Sequence, residues 1–135
     1  MARRIPSGFD PAIGKDPAED YIGPFYLNVT GGVPVAGLLV EDHHCNSMGT
    51  VHGGVLMVFA DFAFCAIGLI GSEDDHIMTV SMTTEFIRGA PCGVWLESRA
   101  QLTRRTRSLV FLQGQICHED EVLLNYSGVG KRIVD

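Results

Sequence analysis

The chain has little positive charge to offer: 10 lysines and arginines stand against 16 aspartates and glutamates in 135 residues, a formal net charge of −6. Neutralising a nucleic-acid backbone takes surplus cations, so a general nucleic-acid binder is excluded. Cysteine is sparse as well. The four present, Cys45, Cys65, Cys92 and Cys117, form no CxxC pair. No apolar leader precedes them, because the opening MARRIPSGFDPAIGKDP carries two arginines but no hydrophobic stretch. The cysteines are therefore expected as free thiols in a reducing compartment, with the cytoplasm as the default location. Internal repeats and low-complexity tracts are absent. A domain of this length buries roughly two thirds of the surface its unfolded chain exposes, so it needs neither disulfide nor metal to fold. The expected organisation is an irregular lead-in over 1–20, broken by proline and glycine, and a single domain over 21–135.

Long hydrophobic runs are also scarce, with one exception. Gly53 to Gly71 reads GGVLMVFADFAFCAIGLIG, with Asp61 as its only charge. The run is long enough to span a bilayer, but a central Asp costs about 2.5 to 3.5 kcal/mol there, and no flanking basic bias or aromatic belt accompanies it. A helix wrapped by the rest of the fold is the better reading. Around it the pattern is strand-like. His76 to Arg88 alternates Met78, Val80, Met82, Thr84 and Phe86 with Thr79, Ser81, Thr83 and Glu85. After Gly89-Ala90-Pro91-Cys92-Gly93, alternation resumes from Val94 to the arginines at 104–107, then over Arg107–His118 and Val122–Val134. Val33–Glu41 makes a further strand ahead of the helix, and Asp16–Phe25 holds a short helix ending near Gly23-Pro24. Strand, long helix and four strands in series predict an α+β architecture, a curled antiparallel sheet around one central helix. A helix this apolar would still be bare on its back, so a second copy is expected to pack against it.

The segment between the first of these strands and the helix concentrates the reactive side chains. Asp42-His43-His44-Cys45 resembles the signature of protein palmitoyltransferases, but the cysteine-rich zinc domain and membrane spans of those enzymes are missing. His43, His44, Cys45 and His52 have no recognised metal-ligand spacing and there is no HExxH, so no metal is expected. More informative is the register of Asn46, Gly49, His52-Gly53-Gly54 and Ala60-Asp61. It closely resembles the active-site loop and helix of hotdog-fold acyl-CoA thioesterases, in particular the phenylacetate-pathway branch. The likeness extends over most of the chain: Ile22-Gly23-Pro24-Phe25, the loop, the helix, the strand ending Phe86-Ile87-Arg88-Gly89-Ala90, and Arg107-Ser108. It implies a hotdog fold and hydrolysis of an acyl-CoA thioester, coenzyme A being part of the substrate and no cofactor being needed.

The chemistry of the residues agrees with that implication. Gly53 falls where loop becomes helix, so its N–H is one of the orphan donors at a helix N-terminus, with the dipole behind it. Such a donor, aimed at a developing oxyanion, is worth about 2.7 to 4 kcal/mol. Asp61 lies eight residues along, a rise of about 12 Å, too far to act on a carbonyl held at its own Gly53. Antiparallel helices in a homodimer bring Asp61 of one chain to Gly53 of the other, and the resemblance implies composite sites of this kind, in dimers or in tetramers built from two dimers. Asp61 then acts as general base on water or as nucleophile; the residues leave both open. The resemblance also implies that the Thr79 hydroxyl, on the polar face of its strand, holds the carboxylate or its water, that Asn46 orients substrate or water, and that His52 fixes the loop and contacts the thioester. Arg88, Arg104, Arg105 and Arg107 are the candidate cations for the coenzyme A phosphates. Two other outcomes share the fold: an acyl-thioester hydratase or dehydratase, and a non-catalytic acyl-CoA binding module.

Overall fold

A computed structural model describes residues 5–70 and 75–133. Its elements run β1 (Asp10–Ala12), α1 (Pro17–Ile22), β2 (Phe25–Asn28), β3 (Val35–Leu39), a 3-10 turn (Asp42–His44), α2 (Gly53–Gly68), β4 (His76–Phe86), β5 (Trp95–Arg105), β6 (Leu109–His118) and β7 (Glu121–Ile133). The strands form one seven-stranded sheet in the order β1-β2-β3-β5-β6-β7-β4. Every neighbouring pair is antiparallel. The sheet does not close, so β1 and β4 are its edges. The expected curled sheet around one long helix is therefore the observed one. The predicted helix is trimmed at Gly68; Gly71 and Val134, the ends of two predicted elements, and the first four residues of the lead-in lie outside the described residues.

Two strands were not foreseen. The lead-in supplies β1 and most of α1, and β2 follows directly after Gly23-Pro24. Asp16 caps α1 by accepting from the Glu19 N–H at 3.1 Å, with Pro17 at the first helical position, where a missing N–H costs nothing. The short helix delivers Phe25 into the core, where its ring lies 5.4 Å from Phe59 and 5.1 Å from Phe62.

These additions change why α2 is so apolar. Val55, Leu56, Phe59, Phe62, Phe64 and Ile67 are buried within a single chain, under β3 to β7 on one side and the α1–β2 segment on another. One chain already covers these side chains, so the apolar character of α2 does not by itself call for a second copy. What stays open is a narrow stripe at helical spacing, Gly54, Met57 and the partly exposed Asp61. Beside it runs the unpaired edge of β4, whose Met78, Val80 and Phe86 are more than half exposed.

The expectation of four free thiols is also corrected. Cys45 and Cys92 are joined in a disulfide, with their Cα atoms 6.4 Å apart, while Cys65 and Cys117 are free. The pairing follows from loop contacts: Val51 N–H donates to Ala90 O at 2.9 Å and Cys92 N–H to Gly49 O at 3.3 Å, laying the two cysteine-bearing segments side by side. The thiol-based premise for a cytoplasmic location therefore applies to two cysteines only. Among the described residues no helix is long and apolar enough to cross a membrane.

Candidate active site

The loop ahead of α2 is held from below by a buried histidine. His44 is 1% exposed. Its Nδ1 accepts from the Glu41 N–H at 2.9 Å, and its Nε2, facing the Ile22 carbonyl at 2.6 Å, must carry the proton and donate, since a carbonyl only accepts. Burial pushes its pKa below the ordinary 6.5, with the hydrogen bond to Ile22 opposing the shift. The His44 carbonyl in turn accepts from the His52 N–H at 2.8 Å. Both ring nitrogens of His44 are engaged and Cys45 is in the disulfide, so the two serve the scaffold, not a metal; among the described residues no cluster is arranged to hold one.

Asn46 has a similar scaffold role. Its Oδ1 accepts from the Met48 N–H at 2.9 Å and the Thr50 N–H at 3.2 Å, and its Nδ2 donates to Thr50 Oγ1 at 2.9 Å. These bonds close the turn 46–50 and leave the second N–H of Nδ2 with no acceptor among the described residues.

His52 then caps α2, its Nδ1 accepting from the Gly54 N–H at 2.8 Å. A Cβ on Gly54 would sit 3.1 Å from that nitrogen, which explains the second glycine of the pair. At Gly53 a Cβ would meet the Phe86 ring at 3.1 Å. With His52 turned to Gly54, the Gly53 N–H donates to no group among the described residues. It is a free donor at the positive end of a 16-residue helix.

Two turns further on, Asp61 accepts a hydrogen bond from Thr79 Oγ1 at 2.5 Å. The pairing depends on a β-bulge: the register of β4 against β7 shifts between Thr79 and Ser81, leaving Val80 as the extra residue. Before the bulge the odd-numbered Ile77 and Thr79 face α2; after it the even-numbered Met82 and Thr84 are the more buried. Unbroken alternation placed Thr79 with Ser81, Thr83 and Glu85 on the other face, and the bulge is the reason it is instead with the helix. Cys65 lies one turn beyond Asp61, its Sγ 4.0 Å from Thr79 Oγ1. Burial, and then the Asp61 charge, push its thiol up to about 12, so it is not a nucleophile at neutral pH.

Glu19 on α1 is the titratable neighbour that sequence reasoning missed. Burial first, then the charges of Asp16, Asp61 and Asp20, raise its carboxyl to about 7. A six-residue helix in a lead-in carries no periodic signal that would have found it.

The arginines separate into two groups. Arg88, two residues beyond the Phe86 that covers Gly53, is exposed and pairs with Glu121 at 2.7 Å. Arg104, Arg105 and Arg107 lie by the turn from β5 to β6, at the far end of α2. There Arg105 donates to the Gly68 carbonyl at 2.7 Å and the Ile70 carbonyl at 2.6 Å. It caps the helix C-terminus, where a cation is favoured. Arg104 and Arg107 are exposed.

The site therefore consists of a free helix-terminal N–H and a carboxylate steadied by a hydroxyl, both on one open helix face. Among known families, the model of the thioesterase superfamily matches residues 48–125, a span that includes Gly53, Asp61 and Thr79. The chain belongs to the thioesterase superfamily. This thioesterase is 28% identical over 127 residues to a protein of Pseudomonas aeruginosa that carries an esterase name, a match covering 93% of this chain and 95% of that one. Solved structures agree in fold. A mutant of the phenylacetic acid degradation protein PaaI from Thermus thermophilus superposes with a TM-score of 0.76 at 23% identity, covering 87% of this chain and 100% of the other. Zebrafish thioesterase superfamily member 2 gives a TM-score of 0.76 at 18% identity over 87% and 88% of the two chains. The architecture is thus the hotdog fold, and the chain is a thioester hydrolase.

Proposed function

We propose that this thioesterase hydrolyses acyl-CoA thioesters at a site shared between two chains, with the Gly53 N–H of one protomer and Asp61 of the other acting on the same carbonyl. The observation that carries the reading is the pairing of an unoccupied helix-terminal donor with a hydroxyl-held carboxylate about 12 Å further along the same helix. That spacing fits one carbonyl only when two helices run antiparallel. The open stripe of Gly54, Met57 and Asp61, next to the unpaired, apolar edge of β4, supports pairing of two copies there into a homodimer; a tetramer would be two such dimers.

In the reaction, the thioester oxygen accepts from Gly53 N–H, a bond that strengthens as the carbonyl becomes a tetrahedral oxyanion. Asp61 either takes a proton from water as that water adds to the carbon, or adds directly to form an anhydride that water then cleaves. Collapse of the intermediate breaks the C–S bond. The thiol has an ordinary pKa of about 8.5, so it departs as thiolate without a strong acid. Arg88, Arg104, Arg105 and Arg107 remain the cations proposed for the coenzyme A phosphates; Arg88 follows by two residues the Phe86 that covers Gly53, and the other three are at the far end of α2.

Thiol release from short, medium, long and aryl acyl-CoAs, followed by absorbance with a disulfide reagent, tests the activity. Asp61→Asn is expected to lose at least about 100-fold in kcat. The shared site is tested by mixing Asp61→Asn with Gly53→Val, in which the new side chain meets Phe86 and obstructs the donor. Mixed dimers are expected to recover a fraction of wild-type turnover, since one of their two sites is intact. An absence of recovery in a mixture shown to exchange subunits refutes the cross-chain arrangement.

A further inference from the structure

β1 and α1 lie along the C-terminal half of α2, and between them is a cleft of about 410 Å³, within the range of ligand pockets. Ala12, Leu27, Phe62, Cys65 and Leu69 give it apolar walls, and Glu19 is set into one side. Cys65 is one turn beyond Asp61 on α2 and Leu69 two turns beyond, so the cleft starts beside the proposed catalytic carboxylate and runs about 12 Å from it. The Glu19 carboxyl makes no hydrogen bond or ion pair among the described residues, whereas neighbouring Asp16 is occupied in capping α1 and Asp20 in accepting from the Gly14 N–H.

We infer that this cleft receives the acyl tail of the thioester and that Glu19 is a specificity-determining residue, selecting tails that carry a hydroxyl or other hydrogen-bond donor near their far end. The inference rests on the reading of Asp61 and Gly53 above and adds the substrate class to it. An alkyl tail laid against Glu19 would strip water from a carboxyl and return nothing. A tail hydroxyl replaces the lost water with a charge-assisted hydrogen bond. A tail ending in its own carboxylate would face Asp16, Glu19 and Asp20 together and be repelled.

The groups around Glu19 are Lys15 before α1, Asp16 capping its own helix and Asp20 within it, and Asp61 and Cys65 from α2. The acids dominate, and with burial they hold Glu19 near half-protonation at about pH 7. Selection for a donor should therefore sharpen as pH rises through neutrality and the carboxyl ionises.

The test compares octanoyl-CoA with its ω-hydroxy and ω-carboxy derivatives, at pH 6 and pH 8, in wild type, Glu19→Gln and Glu19→Leu. Wild type is expected to favour the ω-hydroxy substrate over octanoyl-CoA about tenfold in kcat/KM at pH 8, less at pH 6, and to turn over the ω-carboxy substrate slowest. Glu19→Leu is expected to reverse the preference, gaining on octanoyl-CoA while losing on the hydroxylated tail. In Glu19→Gln the pH dependence of the ratio should vanish. If wild type hydrolyses the panel but Glu19→Leu keeps the wild-type ratio, this inference is overturned and the thioesterase reading stands. If wild type hydrolyses none, the proposed reaction fails, and competition binding of the matched S-alkyl thioethers decides the cleft: equal affinities for the plain and hydroxylated tails overturn it.

Discussion

Replacing Thr79 with valine removes one hydroxyl and almost no volume, and so isolates the contact that steadies Asp61. The hydrogen bond spans 2.5 Å between Thr79 Oγ1 and Asp61 Oδ1, and bonds to charged groups are worth about 1.5 to 3 kcal/mol. If Asp61 acts on the reacting atoms, losing its positioning should appear in kcat/KM at about 1.4 kcal/mol per decade, a fall of roughly 10- to 150-fold. Stability should barely respond, because Thr79 is on the exposed edge strand and Asp61 keeps access to water; a change within about 0.5 kcal/mol is expected. Thr79→Ser keeps the hydroxyl and should remain within about threefold of wild type, with some loss from a freer rotamer. Steady-state thiol release and thermal melts on the three proteins provide the comparison. A valine variant with more than half the wild-type kcat/KM refutes the role assigned to Thr79. So does equal impairment of valine and serine, which would point to the backbone of the bulge.

Three further outcomes follow from geometry elsewhere. His44 has a folded pKa below its unfolded value of 6.5, so the unfolded chain takes up the proton first: its contribution is full above pH 6.5 and is lost as pH falls through the folded value. Urea midpoints should drop between pH 7.5 and 5 more in wild type than in His44→Gln; Glu19, with a raised pKa, works in the opposite sense in both proteins, so a null difference between them refutes the assignment. Arg105→Met, which keeps the apolar stem but strips the cap from the Gly68 and Ile70 carbonyls, should cost about 1 to 3 kcal/mol; unaltered stability with a raised KM for acyl-CoA would refute the cap and leave Arg105 to phosphate binding alone. Thiol titration of the unreduced, denatured protein should find the two free cysteines, Cys65 and Cys117, rising to all four after reduction; four before reduction refutes the Cys45–Cys92 bond.

Periodicity made the centre of the fold legible, because the strands from β4 to β7 are each 10 residues or longer and α2 is a single apolar block. Strands of three and four residues, as β1 and β2 are, hold too few alternations to register, and they form because α1 turns the chain back onto β3. The candidate loop stands out in the sequence as a register of Asn46, Gly53 and Asp61, but the contacts its side chains make do not. His44 reaches a carbonyl 22 residues earlier and Cys45 a partner 47 residues later, and neither separation has a local signature. Thr79 shows how one added residue defeats pattern reading: its type and position were recognised, yet alternation assigned the wrong face, since nothing in HIMTVSMTTEF marks Val80 as the residue that falls out of register.

The roof over the cleft beside α2 has an implication for how chains of this kind diverge. It is made from β1, α1 and the start of β2, all upstream of the stretch that defines the superfamily, which begins at residue 48. Exchanging or lengthening that short amino-terminal piece would remodel the space next to the carboxylate without disturbing the spacing of Gly53, Asp61 and Thr79. On the proposed reading, Gly53, Asp61 and Thr79 lie inside the superfamily stretch, as do the Phe62, Cys65 and Leu69 wall of the cleft, whereas its Ala12, Glu19 and Leu27 wall lies ahead of it. If the proposed reading holds, exchanging the piece ahead of residue 48 should change which acyl tails are accepted while leaving the bond that is cut the same.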